Sequence, residues 1–156
     1  MNDGALDLEI SRVLAVSRAR LWRAWTDPVL LAQWWCPKPW TTEVLAFDLR
    51  PGGGFHTSMR GPAEAGGESD NPGCFLEVVP ERRIVFTSSL GPGWRPARPW
   101  LAMTAIIDMV DEADGTRYTA RVLHESAADA ARHDEMGFRD GWGTVIGQLE
   151  ALAKTL

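Results

Sequence analysis

From residue 126 to the C-terminus, apolar side chains recur at steps of three and four: Phe138, Trp142, Val145, Ile146, Leu149, Leu152 and Leu156. That spacing is one apolar stripe along a helix. Ser126 with Asp129 three residues on forms a start resembling a capping box, so the pattern predicts a single helix over 126–156, roughly 45 Å long at 1.5 Å per residue. A stripe of that length needs a large surface to lie against. Its N-terminal half carries Gly137, Gly141 and Gly143 inside the helical pattern, although each should cost about 1 kcal/mol against alanine. Either another backbone approaches there, or the glycines leave room for a cavity beside the helix.

The preceding chain supplies a surface for the stripe. Leu6, Leu8, Ile10, Leu14 and Val16 alternate with polar residues as a half-buried strand does. Arg12 falls on the apolar face; it must either find an acidic or carbonyl partner or reach solvent where the strand bends. Ser17 can cap a short helix through Trp25, and Asp27 with Pro28 at the first helical position starts a second, with Leu30, Leu31, Trp34 and Trp35 at helical spacing until Pro37 and Pro39 end it. From 42 to 123 the pattern changes to strands punctuated by turns. Strands are predicted at 44–49 and 55–59 around Arg50-Pro51-Gly52-Gly53-Gly54, at 74–79 and 84–90 around Pro80-Glu81-Arg82, and at 101–110 and 116–123 around 111–115. Residues 61–73 and the Pro-rich stretch 91–99 read as loops. Short connections favour antiparallel neighbours.

Length and charge narrow the functional classes. At 156 residues the chain fits a single domain, 1–156, with a core large enough to fold without staples. The balance of 16 Lys plus Arg against 21 Asp plus Glu gives no footprint for nucleic acid or an anionic membrane. No run approaches the roughly 20 apolar residues a membrane span needs. Cys36 and Cys74 lack metal-type spacing, and the N-terminus lacks the basic and apolar regions of a leader, so a cytoplasmic location is expected. Eight Trp and five Phe against one Tyr imply either a Trp-rich core or a ligand cavity partly walled by Trp.

The order of elements is strand, two short helices, about six antiparallel strands and one amphipathic helix. With it come Leu21-Trp22-Arg23-Ala24-Trp25-Thr26-Asp27-Pro28, Gln33-Trp34-Trp35, Arg50-Pro51-Gly52-Gly53, Glu77-Val78-Val79-Pro80-Glu81-Arg82 and Met136-Gly137-Phe138-Arg139-Asp140-Gly141-Trp142. On these motifs the chain resembles the START and birch-pollen-allergen-like (SRPBCC) superfamily. Within it, the chain is similar to the branch related to the C-terminal domain of the activator of heat-shock protein 90 ATPase, whose bacterial members are often labelled polyketide-cyclase-like. The resemblance implies an α+β helix-grip fold, a curved antiparallel sheet of about six or seven strands wrapped around the C-terminal helix. It also implies a cavity that in various relatives holds apolar ligands. The larger eukaryotic activator carries an N-terminal chaperone-binding domain that has no counterpart here, so a chaperone partner is not expected.

The residues offer little for catalysis. His56, His124 and His133 have no HxxH or HxH spacing, and no Cys/His cluster supports a metal; no metal or cofactor is expected. His124 ends the last strand just before the helix and His133 lies in its first turns, so they could be neighbours, although each reads ordinarily as a surface or cap residue. No serine sits in a G-x-S-x-G elbow, and the Gly52–Gly54 run precedes a strand rather than a helix. The weak catalytic candidates are Arg12, Glu77 and His124; Glu77 alternates with Phe75 and Val79 and, if inward, could pair with Arg12.

A cavity draws on more positions. Phe55, Thr57 and Met59 share one strand face, Phe75, Glu77 and Val79 another, and Met103, Ala105 and Ile107 a third. Trp35, Trp40 and Trp100 could close the mouth, while Met136, Gly137, Gly141 and Trp142 form the helix wall. The sequence therefore leads to a domain that binds a small, largely apolar molecule. A cyclase or aromatase acting in the same cavity and a chaperone-interaction domain are the alternatives. A homodimer through an edge strand or the 91–100 loop is compatible with the pattern but not required by it.

Overall fold

The computed structural model describes residues 6–62 and 67–156. Strand β1 (Asp7–Leu14) is followed by helices α1 (Arg18–Thr26) and α2 (Pro28–Leu31), then by β2 (Thr41–Phe47), β3 (Phe55–Arg60), β4 (Glu68–Asn71), β5 (Cys74–Val79) and β6 (Arg83–Thr87). A short ribbon, β7 (Leu90–Gly91) and β8 (Arg95–Pro96), precedes β9 (Thr104–Glu112), β10 (Gly115–Leu123), α3 (Ala127–Glu135) and α4 (Phe138–Ala153). The five-stranded antiparallel sheet has the order β1-β10-β9-β6-β5, and β2-β3-β4 form a second sheet. A bridge between Gly54 and Cys74, with Phe75 N–H donating to the Gly53 carbonyl at 2.9 Å and Gly52 N–H to the Phe75 carbonyl at 2.8 Å, joins the two into one bent layer. Helix α4 lies against the inside of the bend, which is the α+β helix-grip arrangement.

Local chemistry explains the helix starts. The Ser17 hydroxyl accepts from Arg20 N–H, and Asp27 both ends α1 and accepts from Val29 N–H with Pro28 at the first turn. The Ser126 hydroxyl accepts from Asp129 N–H at α3. Each cap satisfies a donor that the first turn cannot pair internally.

The structure corrects four expectations. The predicted 126–156 helix is two helices, because Gly137 adopts φ 95°, ψ 37° between α3 and α4. Side-chain periodicity continues across the break, so the stripe alone does not reveal it. Helix α2 is one turn long; the chain then continues in turns, with Gln33 N–H donating to the Leu30 carbonyl at 3.0 Å. The 61–73 loop, of which 63–66 lie outside the described residues, contains β4: four polar residues, Glu68–Asn71, that pair along β3. A strand without apolar alternation is invisible to a pattern built on burial. Finally, β5 carries a bulge between Phe75 and Glu77. The extra residue reverses the alternation, so Phe75 is buried while Glu77 and Val79 are exposed.

The core settles against α4 and α1. Leu21, Ala24, Trp25, Leu31, Ile84, Ala105, Leu149 and Ala153 are fully buried. Trp25 is the hub, with Trp34, Trp35, Phe55 and Phe86 ring centroids 5.1–6.0 Å away. Its indole N–H donates to the Tyr118 hydroxyl at 2.9 Å, and the Trp34 N–H to the Ala24 carbonyl at 3.0 Å. Both indoles therefore bury their rings without stranding a donor. Burial pushes the Tyr118 phenol up, against the opposing hydrogen bond from Trp25, so it stays protonated.

Candidate ligand cavity

On one side of this aromatic core the interior is not filled. A cavity of about 440 Å³ lies between the bent sheet and the junction of α3 with α4, within the size range of small-molecule sites. Strand β3 contributes Phe55, Thr57 and Met59, in the alternation that puts every second side chain on one face. Met103 and Ile107 come from the segment entering β9 and from β9 itself, and Trp35 and Trp40 from the turns after α2. Met136, Gly137, Gly141 and Trp142 form the helical wall. Trp100 and Met136 are about half exposed, 48% and 51%, and mark the mouth. Trp100 is tethered there: its indole N–H reaches the Asp70 carbonyl at 3.2 Å and Asn71 Oδ1 at 3.3 Å, while Arg132 of α3 donates to its carbonyl at 2.8 Å.

The three glycines that interrupt the stripe have three different surroundings. A Cβ at Gly141 would meet nothing within 4 Å, so the space beside the helix is open. Gly137 is also open, but its positive φ makes it the hinge between the helices. Gly143 is crowded: a Cβ would lie 2.7 Å from Nη2 of Arg12, whose Nη1 donates to the Gly143 carbonyl at 3.4 Å.

Of the residues expected from sequence to line a site, Trp35, Trp40, Phe55, Met59, Trp100, Met103, Met136, Gly137, Gly141 and Trp142 lie on the wall. Phe75 does not. It is fully buried behind the wall, stacked on Phe55 with centroids 4.7 Å apart. The proposed Arg12–Glu77 pair does not form, because β1 and β5 are opposite edges of the sheet with three strands between them. Arg12 instead extends over α4 at the surface, and the β5 bulge turns Glu77 outward.

The histidines also depart from expectation. His56 pairs with Asp70 across β3 and β4, Nε2 to Oδ1 2.6 Å. His124 and His133, ordinarily surface or cap residues, are both buried, at 8% and 7% exposure. His124 Nδ1 lies 2.8 Å from the Leu6 carbonyl, and its Nε2 lies 2.9 Å from His133 Nδ1. Burial, reinforced by His124 and opposed by Asp134, lowers the His133 pKa to about 4, so the ring is uncharged near neutral pH. His133 sits on the cavity wall with its ring edge-on to Phe138. Spacing offered a signal for it: His133 precedes Met136 and Gly137 by three and four residues, the same helical face.

The rest of the polar lining is largely committed. The Ser88 hydroxyl donates to the Leu101 carbonyl at 2.7 Å and the Thr87 hydroxyl to the Met103 carbonyl at 3.1 Å. Cys36 accepts from the Thr42 hydroxyl, and burial pushes its thiol up, keeping it neutral. Among the described residues no three His, Cys, Asp or Glu side chains are grouped to hold a metal, and no helix is long and apolar enough to cross a membrane.

A bent antiparallel sheet closed over a C-terminal helix, with an apolar cavity between them, defines a helix-grip domain of the SRPBCC class. The chain belongs to the family described as Activator of Hsp90 ATPase homolog 1-like protein, whose sequence model matches residues 15–154. Protein NE0264 from Nitrosomonas europaea is 46% identical over 99% of this chain and 97% of its own, with a TM-score of 0.91. Protein Ms6760 from Mycobacterium smegmatis is 26% identical over 97% of this chain and 92% of its own, with a TM-score of 0.81. A protein from Arthrobacter aurescens at 22% identity, covering 100% of this chain and 90% of its own with a TM-score of 0.83, shares the fold. No curated protein matches this chain.

Proposed function

We propose that this domain binds a small, largely apolar molecule in the cavity between the sheet and the α3–α4 junction. The observation that carries the reading is the open space at Gly141, a helical position on the cavity wall where an added Cβ would meet nothing within 4 Å beyond its own helix backbone and chain neighbours. A packed core fills such places to near crystal density. Here the surrounding wall is aromatic and methionine-rich, suited to enclosing an apolar body and adjusting to its outline. Native mass spectrometry of the purified protein, followed by denaturation and extraction, should release a companion molecule of defined mass. Alternatively, an added aromatic probe should quench the tryptophan fluorescence saturably. Failure of both, with the interior fully protected from any probe, would remove the reading.

A cyclase-like or aromatase-like activity in the same cavity is the second reading, and His133 is what favours it, as a neutral imidazole on the wall. It does not run through Arg12 and Glu77, which stand on opposite edges of the sheet. Turnover of a polyketide-like substrate that is lost in His133→Phe while binding persists would support it.

A further inference from the structure

The carbonyl of Leu6 can only accept, so the His124 Nδ1 beside it at 2.8 Å carries the proton. A neutral His124 then has a bare Nε2. The contact of that nitrogen with His133 Nδ1 at 2.9 Å therefore requires the His133 proton on Nδ1. What remains is His133 Nε2, an unprotonated acceptor. Among the described residues it makes no hydrogen bond, and a water molecule can reach it, although the residue as a whole is only 7% exposed. His133 belongs to the cavity wall. An accessible acceptor on a cavity wall is satisfied by whatever occupies the cavity, water or ligand.

We infer that His133 is a ligand-binding residue: its Nε2 accepts a hydrogen bond from a hydroxyl or comparable donor on an otherwise apolar, ring-sized ligand, and His124 is the positioning residue that fixes the required tautomer. The inference rests on the binding reading above and adds the chemical class of the ligand, an apolar body with a donor. The surroundings suit that class. Phe138 and Trp142 flank the imidazole with centroids 5.2 and 6.5 Å away, so a planar ligand reaching Nε2 meets ring faces and edges beside it. Other wall hydroxyls compete little, since Ser88 and Thr87 already donate to carbonyls and the Tyr118 oxygen accepts from Trp25. Thr57 Oγ1 and the indole N–H groups of Trp35, Trp40 and Trp142 are further wall groups without a hydrogen bond among the described residues; the indoles only donate, so they do not compete for the ligand's donor, and Thr57 can serve a second polar atom.

The probes are 2-naphthol and its donorless counterparts naphthalene and 2-methoxynaphthalene, titrated into the protein at neutral pH by calorimetry. The expected result is about a tenfold preference for 2-naphthol, the scale of one hydrogen bond. The preference should vanish in His133→Phe while the donorless probes still bind. His124→Phe should weaken it. His124→Gln should restore it, because an amide can donate to the Leu6 carbonyl and accept from His133 together. Equal binding of all three probes by the native protein overturns the role of His133 and leaves the cavity reading standing; no binding of any probe overturns both. Independently of any variant's folding, nitrogen NMR of the native protein should show His133 Nε2 as the unprotonated nitrogen. A protonated Nε2 overturns the inference.

Discussion

Replacing Gly141 by alanine tests the open interior directly. The residue sits in the first turn of α4 with ordinary helical backbone, and its added Cβ would meet nothing within 4 Å. One effect then dominates. Alanine gains about 0.5–1 kcal/mol over glycine in a helix, whereas a methyl group with no neighbour within 4 Å removes little surface from water. The gain of about 0.5–1 kcal/mol corresponds to a rise in Tm of about 1–4 °C for a domain of this size, measurable by scanning calorimetry and by the urea midpoint. The neighbouring glycines are controls with other signs. Gly137→Ala should lose about 1–2 kcal/mol, because a side chain is strained at φ 95°. Gly143→Ala should be near neutral, within about 0.5 kcal/mol, since the nearest group in its way is the tip of the flexible, exposed Arg12. If Gly141→Ala lowers Tm, some atom already occupies that space, and the cavity wall described above is wrong.

Larger changes at the same position and elsewhere extend the test. Gly141→Leu should keep the domain folded but reduce the affinity for 2-methoxynaphthalene at least tenfold, read by calorimetry, because its side chain projects into the binding space. Trp100→Ala removes the tether to Asp70 and Asn71 at the mouth, and stopped-flow measurements should show faster probe dissociation with unchanged Tm. Trp25→Phe shrinks the hub and withdraws the donor to Tyr118; a loss of about 2–4 kcal/mol is expected from denaturant unfolding. For pH, His133 is held at about 4 in the folded state against 6.5 when unfolded. The unfolded chain thus binds the extra proton between these values, and stability falls as pH falls from about 6.5 to 4, by about 3 kcal/mol in total. Urea midpoints at pH 7, 5.5 and 4 should show this slope in the native protein and lose it in His133→Phe.

Where burial writes a period into the chain, the sequence was readable. The 3.6-residue stripe of α4, the Ser17, Asp27 and Ser126 caps and the β5–β6 and β9–β10 hairpins were all legible from spacing. What escaped were features without an apolar signature. Strand β4 is all polar because its side chains cover no core, and the β5 bulge reverses a face without changing composition. The same limit applies to the site. Wall residues such as Met103 and Trp142 follow from strand alternation and helix face, whereas Phe75 occupies the same face and yet stacks behind Phe55, a matter of depth that alternation cannot express. Sequence separation concealed the His124–His133 contact least, since a strand end and the first turns of the next helix are close by construction; what it concealed was their burial.

The cavity's size bears on whether it can stand idle. An empty, dry void costs on the order of 24 cal/mol per Å³ relative to a filled one, so about 440 Å³ would cost about 10 kcal/mol, comparable to the whole stability of a typical domain. The space must therefore be occupied. Water enters through the mouth at Trp100 and Met136, but a buried water needs two to four polar partners, and the free ones on the wall are few: His133 Nε2, Thr57 Oγ1 and the indole N–H groups of Trp35, Trp40 and Trp142. Most water inside is consequently poorly held, and an apolar ligand that displaces it gains from burial while losing few hydrogen bonds. One donor on that ligand, directed at His133, replaces the most valuable of those hydrogen bonds. Gly141 and the break at Gly137 are the places where the helix borders this space, so a stabilising Gly141→Ala rules out a filled interior, and the loss of probe affinity in Gly141→Leu separates a binding space from an idle void.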